Sequence, residues 1–108
     1  MDLVVIFYPS GHLQLQVPED DFCHVYDSAE RLAKDVSDLM DGDNALGWYG
    51  NDLDAWRDEK ELHSYRHITQ SQIPAYLADL KAGKIDTSDF WPHQEAFYNA
   101  LMVRRNIV

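Results

Sequence analysis

A chain of 108 residues can bury a single hydrophobic core but is short for an enzyme with an elaborate pocket. Its 45% apolar and 12% aromatic content excludes an acidic disordered tail, because disorder needs low hydrophobicity together with high charge. The formal net charge is -10, and the excess lies entirely before Arg57: twelve Asp and Glu face only Arg31 and Lys34 through Trp56, whereas Arg57 to Val108 carries seven charges of each sign. Such a field repels phosphates, so direct nucleic-acid binding is not expected.

The first elements read as a β-hairpin. Leu3 to Tyr8 is β-branched and aromatic, Pro9-Ser10-Gly11-His12 supplies turn chemistry, and Leu13-Gln14-Leu15-Gln16-Val17 alternates, with the leucines and Val17 facing a core and Gln14 and Gln16 facing water. Pro18 ends that strand, and Glu19-Asp20-Asp21 forms an acidic loop from which Phe22 and Tyr26 anchor the connection. Asp27-Ser28-Ala29-Glu30 has a capping-box arrangement with Asp27 as N-cap. Ala29, Leu32, Ala33, Val36, Leu39 and Met40 then repeat at helical spacing up to Gly42. Glu30, Arg31, Lys34, Asp35 and Asp38 fall on the outer face, while Asp41 and Asp43 oppose the negative end of the helix dipole, a cost that points to function.

Ala45 to Gly50 fits a short strand or a structured loop. Asn51 or Asp52 can cap a short helix through about Lys60, with Leu53 and Trp56 inward and Asp54, Asp58 and Glu61 in an outer stripe. Leu62 to Thr69 reads as a polar strand at the sheet edge, and Ser71 as the cap of a helix with Ile73, Tyr76, Leu77 and Leu80, stopped by Gly83. The last helix starts near Trp91-Pro92 and runs to Arg104-Arg105, whose charges complement its own C-terminal end. The expectation is one acidic α+β domain over residues 1–108: a small antiparallel sheet beginning with an N-terminal β-hairpin, packed against three to four helices.

Little in the chain looks catalytic. Cys23 and His24 are adjacent in an extended segment and point to opposite faces, so they do not form a nucleophile and base. Asp41-Gly42-Asp43-Asn44 opens like a calcium loop, but Leu46 stands where that loop needs glycine and Asp52 where it needs a bidentate Glu. Glu59, His63 and His67 would share one helical face, which supports an alternative reading as a metal-binding module or small metal-dependent enzyme. No His-Glu-x-x-His signature accompanies them, and no metal or other cofactor is expected. A third reading is a homo-oligomeric structural protein, for instance a homodimer, associating through Trp91, Phe97, Tyr98 and Met102. A single cysteine and an N-terminus without a basic region followed by a long apolar run fit a cytoplasmic protein that avoids membranes.

The segment Trp48-Tyr49-Gly50-Asn51-Asp52-Leu53-Asp54-Ala55-Trp56-Arg57-Asp58 places large aromatic rings among carboxylates that accept hydrogen bonds from Arg or Lys. Its aromatic residues read either as core or as interface. Tyr49-Gly50, Leu53-Asp54-Ala55 and Asp58 resemble the corresponding segment of the barstar family of intracellular ribonuclease inhibitors, over these residues only. Trp56 stands one position earlier than in that family's pattern, and Arg57 takes the place of its tryptophan. The resemblance implies that Asp54 and Asp58 enter a partner's cationic phosphate site, with Trp48 and Tyr49 as flanking contacts. The leading expectation is thus a non-catalytic inhibitor, of the immunity or phage anti-defence type, that occludes the basic surface of a nuclease or nucleic-acid-binding protein by phosphate mimicry. Its partner-binding residues would be Asp41, Asp43, Trp48, Tyr49, Asp52, Asp54, Asp58 and Glu61.

Overall fold

A computed structural model describes residues 3–20, 22–43 and 65–107. Among them β1 (Val4–Phe7), β2 (Leu13–Val17), β3 (Phe22–Tyr26) and β4 (Arg66–Thr69) form an antiparallel sheet in the order β3-β2-β1-β4. Three helices join it: α1 (Ala29–Met40), α2 (Ile73–Lys81) and α3 (Pro92–Arg104). The fold is α+β and opens with the expected hairpin. Its turn is closed by the Tyr8 amide donating to the His12 carbonyl at 3.0 Å, with Gly11 at φ +98°, a backbone region that suits glycine.

Register explains the core. Val5 pairs with Leu15 and Ile68, and Phe7 with Leu13, so these side chains share one sheet face. Together with Leu3, Val17 and Tyr26 they are buried against Leu32, Ala33, Val36 and Leu39 of α1, Ile73 and Leu77 of α2, and Phe97, Tyr98 and Leu101 of α3. Phe7 meets Phe97 edge-on, with ring centroids 5.5 Å apart. Full burial of each large apolar side chain is worth about 1.5–3 kcal/mol. Phe97 and Tyr98 lie in this core and are removed from any self-association face.

The opposite sheet face is not wet. Gln14 and Gln16 retain only 4% and 8% of their exposure, beside buried Ile6, Tyr8 and Cys23. The Gln14 Oε1 accepts from the Tyr8 hydroxyl at 3.2 Å and from Gln16 Nε2 at 3.2 Å, with Cys23 Sγ 3.6 Å away. Burial is tolerated because the polar atoms satisfy one another, so strict alternation of Leu and Gln marks two buried faces here. Phe22 to Tyr26 is a full strand rather than an anchored loop, paired along β2 from Val17↔Phe22 to Leu13↔Tyr26. Its Cys23 is buried.

The helix ends differ in detail from expectation. Ser28, not Asp27, is the N-cap of α1, because its Oγ accepts from the Arg31 amide at 3.3 Å. Ser71 lies within a short 3-10 turn, Gln70–Gln72, and Gln72 is the residue before α2. All three helices end in the same way: the amides of Asp43, Lys84 and Ile107 donate back to the carbonyls of Asp38, Asp79 and Met102, each at 2.9 Å. Gly42, Gly83 and Asn106 supply the positive φ that this closure requires. No helix among the described residues is long and apolar enough to cross a membrane.

Candidate interaction surface

α1 presents its charges unevenly. Asp35, expected on the outer face, is buried, and its Oδ2 accepts from the Tyr26 hydroxyl at 2.6 Å, which ties β3 to the helix. Lys34 pairs with Asp38 at 2.7 Å, one helical turn away, and this contact holds its ammonium above the ordinary lysine pKa. Being exposed, the pair adds little stability.

Asp41 and Asp43 follow, both exposed on the closing turn of α1. Acids at this position oppose the helix dipole, and the structure provides compensation from a distant part of the chain. The Nη1 of Arg105, beyond the end of α3, donates to Asp41 Oδ1 at 2.8 Å, to Ser37 Oγ at 3.2 Å and to the Ser37 carbonyl at 3.3 Å. Arg105 therefore complements the C-terminal end of α1, whereas the sequence assigned it to its own helix. Only its place beside Arg104, one more cation than a single helix end needs, hinted at this. Asp41 remains largely solvated, and among the described residues no cation pairs with Asp43.

Of the expected partner-binding residues, the structure thus places Asp41 and Asp43 together on one turn. Trp48, Tyr49, Asp52, Asp54, Asp58 and Glu61 lie outside the described residues, as do the barstar-like segment and the proposed helix from Asn51 or Asp52 to Lys60. The chain runs into that acidic and aromatic stretch directly from the Asp41-Gly42-Asp43 turn. His67 is exposed on β4, so a helical face shared with Glu59 and His63 does not extend to it; Glu59 and His63 lie outside the described residues. Among the described residues no three His, Cys, Asp or Glu side chains are grouped to hold a metal ion.

A second polar cluster, absent from the sequence reading, joins β4 to the start of α3. The Arg66 guanidinium lies 3.9 Å from the Trp91 ring centroid and donates to Gln94 Oε1 at 2.9 Å and to the Asp89 carbonyl at 2.7 Å. Trp91 in turn stacks on His93, with centroids 5.7 Å apart and planes 6° from parallel. Burial lowers the His93 pKa, and the nearby Arg66 and His12 lower it further, against a hydrogen bond with the Tyr8 backbone that raises it.

Set against known proteins, the chain matches no protein-family model, no curated protein and no solved structure.

Proposed function

We propose that this protein is a non-catalytic, cytoplasmic acidic binding protein that inhibits a nuclease or nucleic-acid-binding protein by covering its basic surface with carboxylates. The observation that carries this reading is the concentration of the whole anionic excess before Arg57, with Asp41 and Asp43 exposed on a turn held by main-chain hydrogen bonds at its leading edge. Carboxylates on a preorganised turn lose little freedom on docking, and a field of one sign accelerates encounter with an opposite one. The barstar-like residues Asp54 and Asp58, flanked by Trp48 and Tyr49, would extend the same surface. Immunity and anti-defence roles share this physics.

The test is capture of a partner from the native host on immobilised protein, followed by association kinetics with the purified partner. A basic partner should be lost with the Asp54→Lys/Asp58→Lys variant and weakened with Asp41→Lys/Asp43→Lys, and its association rate should fall steeply as salt rises. A rate indifferent to salt, or capture unchanged by both variants, removes the electrostatic mechanism.

A further inference from the structure

We propose a second binding site, distinct from the acidic surface: the outer edge of β4 and the groove beside it take an extended cationic peptide by strand addition. β4 is the last strand of the sheet on that side among the described residues. In an antiparallel pair, residues alternate between those that bond to the neighbouring strand and those whose amide and carbonyl point away. The Gln70 amide donates to the Leu3 carbonyl at 2.9 Å, which assigns Ile68 and Arg66 to the β1 side and leaves Thr69 and His67 pointing outward. The Thr69 amide confirms the alternation, since it donates to the Gln72 side chain at 3.1 Å. His67 then offers an outward amide and carbonyl, the pair that an added strand engages.

Natural sheets guard such edges with charged side chains, proline or bulges. Here the one charged side chain of β4, Arg66, is turned to Trp91, Gln94 and the Asp89 carbonyl. Beside this edge, which no described strand covers, lies a groove of about 420 Å³ lined by His67, Gln72, Tyr76, Asp79 and Gln94 among others. Asp79 is its acid, and among the described residues no cation pairs with it. An incoming strand would lay main chain against His67 and a Lys or Arg side chain toward Asp79. Charge also decides between occupants: among the described residues Asp79 is the one carboxylate or Lys/Arg side chain lining the groove, so a second copy of this strand would bring no complementary cation of its own to it beyond the engaged Arg66, whereas a peptide carrying free Lys or Arg meets complementary charge.

The test uses the full chain labelled for amide NMR, titrated with a short soluble peptide of alternating threonine and lysine, and with its threonine and glutamate counterpart. The lysine peptide should slow exchange of the His67 amide and shift the resonances of Tyr76 and Asp79, while the glutamate peptide leaves them in place. Asp79→Asn should weaken binding by roughly fivefold, the scale of one solvated ion pair. His67→Pro, which removes the outward amide at a position where an edge strand tolerates proline, should abolish binding of the lysine peptide while the amides of the β1 ladder keep their slow exchange. Asp41→Asn should leave affinity within about twofold, because the sites are independent. An unshifted His67 amide, equal loss in Asp41→Asn and Asp79→Asn, or edge protection that arises from self-association in sedimentation would each overturn the proposal.

Discussion

Arg105 and Asp41 meet at 2.8 Å across 64 residues of chain, joining the region just beyond α3 to the C-terminal turn of α1. This contact offsets the cost of placing acids at a helix C-terminus while leaving Asp41 exposed to solvent.

Replacing Arg105 by Gln should cost about 1 kcal/mol, since a partly solvated pair and one helix-end contact are lost together. The same change removes the cation that offsets Asp41, so binding to a basic partner should become faster at low salt. Chemical denaturation and stopped-flow association measure the two effects, and a stability loss without a rate increase would separate Asp41 from the binding surface.

The Tyr26 hydroxyl bond to Asp35 is a different case, because Asp35 is buried. Tyr26→Phe deprives that carboxylate of its donor and should destabilise the fold by about 1–3 kcal/mol. A double-mutant cycle with Asp35→Asn should give a coupling well above the spread expected for independent sites, about 0.5 kcal/mol.

Gln14→Leu should be costly despite being apolar and similar in size. It removes the acceptor shared by Tyr8 and Gln16 within a buried layer, for a loss of about 1–3 kcal/mol. Were Gln14 facing water, the same change would fall within about 0.5 kcal/mol of neutral, so equilibrium unfolding distinguishes the two faces directly.

Phe97→Ala should cost about 3–5 kcal/mol, as for a large aromatic taken from a core, and leave the sedimentation coefficient of the folded protein unchanged. A self-association role for Phe97 predicts the reverse, dissociation with little loss of stability.

His93 gives the fold an acid-side dependence. Its pKa is lowered in the folded protein, chiefly by burial, so the unfolded chain takes up this proton first as pH falls. The contribution is complete above the ordinary imidazole range, near about pH 6.5, and is lost as pH drops through that value toward the lower folded one. His93→Gln should flatten the decline in Tm between about pH 7.5 and 5 relative to the parent protein.

The hairpin and α1 were legible because their signals are local: a turn between two β-rich runs, and six apolar residues at helical spacing ahead of Gly42. The limits of α3 were legible for the same reason, as was β4, the outer strand among the described residues, which begins at Arg66, while Leu62 to Ser64 of the expected strand lie outside them. β3 was not, since Phe22-Cys23-His24-Val25-Tyr26 mixes polar and apolar residues, and its strand character comes from pairing along β2. Burial of Gln14, Gln16 and Asp35 was hidden because each looks solvated until its hydroxyl or amide partner is brought to it by the fold. On the candidate surface, Asp41 and Asp43 could be read from composition, but the neutralising reach of Arg105 depends on α1 and α3 lying side by side.

Because β1 sits between β2 and β4, with Val4 opposite both Gln16 and Thr69, the order of synthesis matters. As the chain leaves the ribosome, β1 can find β2 as soon as Val17 follows it, yet its other flank waits until Thr69 has emerged. Between synthesis of β2 and of β4 the nascent hairpin therefore carries one unfinished side, and it is then that a chaperone would have most to protect.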